Sequence, residues 1–559
     1  MKNIRNKNKI SLLMVILALM AYGCADYTEP KYEPESPWQT VDQFEMAVIS
    51  PYSSFTLDGW HEPPAVHALY EMLATDFSSR IIGAASDNEW SEIENRLQRQ
   101  VSCEGLVWIR FNYEQNFWTT IAACNEGLTF LAQDDPVKLF PRDNIDYINA
   151  NIPRAQAELY FWRAYTYIWT AFFFTPAYVP GGANDDQVLA LKTTNLNSNN
   201  TPIGTTQQVW DLILSDLKAA KSLMPQSYDK SGRLNYWAVC GALARAYFYT
   251  GDFANAEKEC TEIINHYAPL GLPDDPLQAW TVDYTNPGTE PKNEVMWMFN
   301  TSVTGQSQYC WTDVSRANPW TNGGRGQGSS VSWNLCKLSN AMIKKIGWMV
   351  DPANGDFTET DLARADKRYG RHGLDRSNGT TWWRVEPYKP QDEVQAEVDA
   401  TGDETLWDKY EQNHASQVNP LIFLDKYFRT TPGTSQNIPR MRVPEFYIMR
   451  AAIRFRNNDK TGAAADLKVI RDRAGLSGQW EITAADITED DIDREMVIEM
   501  GGESLYLGYL RALQKPILPG DRVGVAPVNP PYTGWYWKIP MNEIRVNAGY
   551  IGIPNPNDK

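Results

Sequence analysis

Hydrophobic spacing along this chain predicts a run of helices packed side by side. Residues 155–174 (AQAELYFWRAYTYIWTAFFF) are apolar on nearly every face, as a helix enclosed by neighbours should be, and Pro176 ends the run. Thr205 and Gln208 then form a capping box ahead of VWDLILSDLKAAKSLMP. There Val209, Leu212, Ile213, Leu217 and Ala220 keep the i, i+3, i+4 spacing of one buried stripe. Upstream, Phe44, Met46, Ala47 and Ile49 give helical spacing to residues 38–54, and helical character returns over 108–131. The stretch between, 59–100, reads mostly as loop. Residues 293–300 (NEVMWMFN) alternate instead and predict a strand.

Residues 237–264 (WAVCGALARAYFYTGDFANAEKECTEII) read as two helices meeting at Gly251-Asp252. Leu243, Ala244, Tyr247, Gly251 and Ala256 take the small and large positions of a tetratricopeptide repeat. Small residues let the helices approach, and Gly251 supplies the turn. A weaker copy spans 444–470, with Tyr447, Ala451, Ala463 and Leu467 at matching places. The long gap between the copies predicts an interrupted helical scaffold rather than a tandem array. The gap holds QSQYCWTDVSRANPWTNGGRGQGSSVSWN and a polar section over 351–419 containing WWRVEPY. Loops of that length are uncommon in a compact domain unless they serve a function.

The N-terminus has a different pattern. Lys2, Arg5, Lys7 and Lys9 precede an apolar run from Ile10 to Met20, followed by Ala21-Tyr22-Gly23-Cys24. This is a secretory signal, too short to cross a bilayer of ~30 Å. Its end resembles a bacterial lipobox, which implies that Cys24 is lipidated and becomes the N-terminus. Several acyl chains at ~0.8 kcal/mol per buried CH₂ would make a durable anchor. The division expected is a signal peptide over 1–23, a charged, proline-rich lipidated tether over 24–37, and a single domain over 38–559.

The formal charge of −17 argues against nucleic acid and anionic lipid as partners. Besides Cys24 there are six cysteines, an even number that permits disulfides in an exported protein. None forms a C-x-x-C pair, and Cys240 and Cys260 fall in helical patterns as small buried hydrophobes. The five histidines show no metal-binding spacing, and no nucleophile elbow, P-loop or dinucleotide fingerprint is present. The glycine-rich 323–328 opens no cappable helix. No catalytic residue, metal or cofactor is expected.

In order along the chain, several segments resemble the SusD/RagB family of outer-membrane lipoproteins. These are AYGC; Ala157-Glu158 through Arg163-Ala164-Tyr165; Val179-Pro180; Asp216-Leu217 with Leu223-Met224-Pro225; and ALARAYFYTGDFANAEK. Farther on come Asp366-Lys367-Arg368, the Lys426-Tyr427 strand, RVPEFYIMRAA, VIRDRAGL, and Ile539-Pro540 with Glu543 and Asn547 as a closing strand and loop. Glu495, Glu499 and Glu503 keep the family spacing, whereas Met496, Ser504, Tyr506 and Tyr509 depart from its usual pattern.

The resemblance implies a mostly α fold: a SusD-like tetratricopeptide-type scaffold with loop-rich insertions, chiefly about 280–430, and a few short strands. It also implies a cell-surface glycan-binding lipoprotein that passes its ligand to a SusC-like TonB-dependent transporter. An oligopeptide binder of the RagB type and an outer-membrane assembly lipoprotein are the alternatives. Sugar rings offer flat C–H faces to indole and phenol rings, and their hydroxyls need planar polar partners. Tyr309, Trp311, Arg316, Asn318 and Trp320 in one polar loop offer both, and the resemblance, whose starch-binding prototype builds an aromatic arc from loops in broadly these regions, implies Trp90, Trp311 and Trp320 as ligand contacts. Trp382 and Trp383 form a second platform. Trp535, Tyr536 and Trp537 read as packing.

Overall fold

The computed structural model describes residues 38–55, 71, 74–80, 112–194, 200–280, 291–299, 336–350, 358–371, 383–386, 391–406, 421–424, 426, 438–522 and 524–554. Among them the fold is mostly helical with short strands. The helices are α1 (Val41–Ser54), α2 (Trp118–Leu131), α3 (Pro136–Leu139), α4 (Ile145–Phe174), α5 (Thr206–Leu223), α6 (Tyr236–Tyr249), α7 (Phe253–Tyr267) and α8 (Asn340–Lys345). They continue as α9 (Asp361–Ala365), α10 (Gln391–Thr401), α11 (Val443–Arg456), α12 (Lys460–Arg473), α13 (Glu489–Met500), α14 (Tyr506–Ala512) and α15 (Met541–Val546). The strands are β1 (Ser78–Arg80), β2 (Gln187–Ala190), β3 (Ile203–Thr205), β4 (Val295–Phe299), β5 (Cys336–Leu338), β6 (Met349–Val350), β7 (Thr358–Glu359), β8 (Tyr369–Arg371), β9 (Trp383–Glu386), β10 (Leu421–Leu424) and β11 (Ile438–Arg442).

Helix α4 is the axis of the core. Phe161, Trp162, Tyr167 and Phe173 are fully buried on different faces of it, and α1, α2 and α5 pack around it. It starts ten residues before the expected 155, capped by Asn144, whose side chain accepts the Tyr147 N–H. Residues 145–154 were harder to read because they bury only part of their surface and contain Pro153. The capping box at Thr205 forms as expected: Thr205 Oγ1 accepts the Gln208 N–H at 3.2 Å, and Gln208 Oε1 accepts the Thr205 N–H at 2.9 Å.

The two repeat copies form helical hairpins, α6–α7 and α11–α12, and α7 packs on α11 despite the distance between them in sequence. Gly251 lies at φ +76°, and a Cβ there would come within 2.6 Å of Pro180 Cγ. The Val179-Pro180 segment is thus seated on the repeat turn.

Strand β4 forms as expected and pairs antiparallel with β11, the strand that leads into α11. Three expectations are corrected. The polar section 351–419 is not all loop, because it includes β7, α9, β8, β9 and α10. The closing segment is helix α15 rather than a strand: Pro540 stands just before its first turn, where a missing N–H costs nothing, and Glu543 lies at its positive end. Strand β10 also stops at Leu424, so Lys426 lies beyond it in a turn. Cys124, Cys240 and Cys260 are buried free thiols, and no described helix is long and apolar enough to cross a membrane.

Candidate functional site

The expected ligand residues Trp90, Tyr309, Trp311, Arg316, Asn318, Trp320 and Trp382 lie outside the described residues, as does Cys24. Trp383 is described as a backbone position only, in β9. The structure does show where their segments are rooted. β1 pairs antiparallel with β5, Ser78 opposite Leu338 and Arg80 opposite Cys336. The chain leaving β1 enters 81–111, which contains Trp90. The chain entering β5 leaves 300–335, which contains Trp311 and Trp320. Antiparallel pairing places those two roots at one end of the ladder. β5 lies beside β10, and β10 pairs with β9, Leu424 opposite Trp383. Three segments far apart in sequence are therefore rooted on adjoining strands.

The ladder is tied down from beneath. The Ser339 hydroxyl donates to the Asp76 carbonyl at 2.5 Å, and the Ser339 N–H donates to the Phe77 carbonyl at 3.2 Å. The Tyr506 hydroxyl donates to Asp76 Oδ1 at 2.9 Å, with Lys345 Nζ 3.6 Å from Oδ2. Burial pushes the Asp76 carboxyl upward against the pull of Lys345. Asp521 accepts the Asn340 and Ala341 N–H groups at 2.7 and 2.9 Å, fixing the start of α8 directly after β5.

Deeper, a continuous ion-pair network joins these strands to the repeats. Arg442, at the end of β11, bonds Glu294 before β4 at 2.5 Å, Glu499 on α13 at 3.1 Å and Glu503 at 2.5 Å. Arg368, just before β8, pairs with Asp366 at 2.9 Å, Glu495 at 2.9 Å and Glu499 at 3.1 Å. Arg471 reaches Glu495, Arg473 reaches Glu294 and Glu499, and Lys426 donates to Glu503 at 2.6 Å. Among the described residues, five cations thus face five carboxylates. Burial pushes Glu499 upward, but Arg473, Arg442 and Arg368 outweigh it and hold the carboxyl far below the usual range. Many of the residues that carry the family resemblance meet here. A second pair, Arg163 with Asp216, binds α4 to α5 through two bonds of 2.7 Å.

Other described features do not make a ligand site. A small cleft bounded by Phe172, Trp210, Tyr249 and Arg511 is far too small for a sugar ring. Cys240, Glu259 and Glu262 have ligand atoms within 4.8 Å of one another. The Lys221 ammonium already donates to both carboxylates at 2.7 Å, supplying the positive charge there. Trp535 and Trp537 are buried in the core and Tyr536 is buried beside them, as packing residues should be.

Sequence comparison covers the same scaffold. Residues 66–248 match a SusD-like family described as starch-binding and associating with the outer membrane, and residues 293–507 match the SusD family itself. The chain belongs to the SusD/RagB family. A SusD superfamily protein from Bacteroides thetaiotaomicron is 15% identical with a TM-score of 0.64, covering 91% of this chain and 98% of that one. A putative sugar-binding protein from Bacteroides vulgatus is 13% identical with a TM-score of 0.63, over 92% and 98%. A laminarin-binding SusD-like protein is 17% identical with a TM-score of 0.52, over 91% and 98%. At these identities the likeness is one of fold. No curated protein is similar in sequence.

Sequence reasoning missed the part played by Glu71 and Asp76. Glu71 sits in HALYEMLATDF, where its local pattern does not distinguish it from any helix-surface carboxylate. In the fold it is fully buried, and its Oε2 accepts the Leu507 N–H at 2.8 Å.

Proposed function

We propose that this protein is a non-catalytic, cell-surface glycan-binding lipoprotein. Anchored through Cys24, it captures an oligo- or polysaccharide and delivers it to a SusC-like TonB-dependent transporter in the outer membrane. The observation that carries this reading is the rooting of three segments rich in aromatic and planar polar residues on adjoining strands of a SusD/RagB scaffold. Trp90, Tyr309, Trp311, Trp320, Trp382 and Trp383 would stack on sugar rings, while Arg316 and Asn318 would bond hydroxyls. Binding by stacking and hydrogen bonds needs no cofactor. Family membership and the description of one matched family as starch-binding support the ligand class. The laminarin-binding relative shares the fold.

Calorimetric titration of the purified protein against a panel of neutral and charged oligosaccharides tests the reading. Saturable binding to one glycan class is expected. A blank panel alongside retention of oligopeptides would overturn it in favour of peptide capture.

A further inference from the structure

Glu71 stands seven residues before β1, the strand that roots the 81–111 segment beside β5. Its Oε2 is bonded to the Leu507 N–H, whereas its Oε1 is buried with no hydrogen-bond partner among the described residues. The charged and titratable groups that face it are Lys426 beyond β10, Glu503 and Tyr506 at the start of α14, and Tyr249 on α6. Lys426 is committed to Glu503, with its ammonium 4.9 Å from the Trp280 ring. The Tyr506 hydroxyl is committed to Asp76, and Asp76 to Lys345. Arg442, one step farther out, is bonded to Glu503 and Glu499. Glu71 is thus a sixth carboxylate beside a network whose five cations already match five others. Ionising it would bury a charge next to Glu503 with only two backbone N–H groups and an already committed Lys426 to offset it, which is disfavoured.

We infer that Glu71 is a positioning residue held as a neutral carboxylic acid, so that its bond to the Leu507 N–H fastens the root of the 81–111 segment to α14 without burying an unmatched charge. Its titration runs in the same direction: burial pushes the carboxyl up to about 8, against the pull of the Leu507 and Tyr506 N–H groups and of Lys426. Between its ordinary 4.5 and about 8, the folded protein keeps a proton that the unfolded chain has lost. The contribution to stability is therefore full in acid and is lost as the pH rises through that window. Lys426, pushed down to about 8 by burial, acts in the opposite sense and only between about 8 and its ordinary 10.5. The two effects occupy separate ranges. A fastened root matters to ligand capture only if the glycan reading holds; the proton on Glu71 does not depend on it.

The experiment compares the full-length wild type with Glu71→Gln, which keeps an acceptor for the Leu507 N–H and cannot titrate. Infrared difference spectra between about pH 6 and about pH 9 should show the wild type losing a carboxylic-acid C=O band that Glu71→Gln lacks at both values. Over the same range the fall in melting temperature should be shallower in Glu71→Gln. An identical band in the variant, or parallel melting profiles, overturns the proposal. If Glu71→Gln does not fold, the wild type grown on ¹³C-glutamate must show the band shifted by the label, and an unshifted band overturns it. A titrating Glu71 together with a blank glycan panel would leave this inference standing and remove only the glycan function.

Discussion

At the scale of single residues, Gly251 combines two constraints. Its positive φ suits glycine, and Pro180 occupies the space a Cβ would need. Gly251→Val should therefore cost roughly 1–3 kcal/mol from backbone strain alone, with the contact adding to it. Urea unfolding checks this, and an unchanged midpoint would show that the repeat turn tolerates a side chain. The turn was legible because a glycine between two periodic stretches is a local signal. Trp311 and Trp320 pose the opposite problem. As ligand contacts, Trp311→Ala and Trp320→Ala should each weaken glycan binding several-fold, since aromatic contacts contribute ~0.5–1.5 kcal/mol beyond area and 1.4 kcal/mol is tenfold. As core anchors they would instead cost ~3–5 kcal/mol of stability. Titration beside a melting curve separates the two outcomes, and intact folding with unchanged affinity would move the site to Trp382 and Trp383.

Elements report on how the fold is held together. Helices α5, α6 and α7 were legible because their caps and stripes lie within a few residues. The network around Arg368 and Arg442 was not, because its partners lie far apart: Arg368 and Glu499 are separated by 131 residues and Arg442 and Glu294 by 148. Acids and bases in a sequence read first as solvated surface; only packing shows which are taken out of water. Removing one member of such a buried set leaves charges uncompensated, at a cost of about 3–5 kcal/mol. Arg368→Met, which strands Asp366 and removes one of the guanidiniums on Glu495 and Glu499, should destabilise by about that much. Lys468→Met, which breaks solvent-exposed pairs with Asp472 and Glu481, should cost far less. Equilibrium unfolding of both variants tests the contrast, and equal losses would show that the network contributes no more than a surface pair.

For the whole molecule, the same network sets the response to acid. Burial raises Glu495 and Glu499, but the guanidiniums around them hold both below their ordinary 4.5. Their contribution is full above about 4.5 and is lost as the pH falls through their folded values. Melting temperature should therefore drop steeply below about pH 4, and Glu499→Gln should be less stable at neutrality with a flatter acid limb. Parallel acid limbs would assign the loss to other carboxylates. Attachment is also a property of the whole molecule. Cys24→Ala should release the protein from membranes without unfolding it, and cell fractionation with palmitate labelling reads the result; full membrane retention of the unlabelled variant would rule out lipid as the sole anchor.

The sequence alone determined the paired helices at Gly251, the capped helix after Thr205, the strand at β4 and membership of the family. Each of these rests on signals carried by neighbouring residues. It also singled out the aromatic loop residues by chemistry, though not their contacts. Tertiary structure decided that β1 and β5 root two distant segments at one end of their ladder beside β10 and β9, that Pro540 leads into a helix, and that Glu499 is held ionised while Glu71 keeps its proton. Those outcomes depend on burial and on the number of opposite charges within reach. Both are sums over residues the chain brings together only by folding.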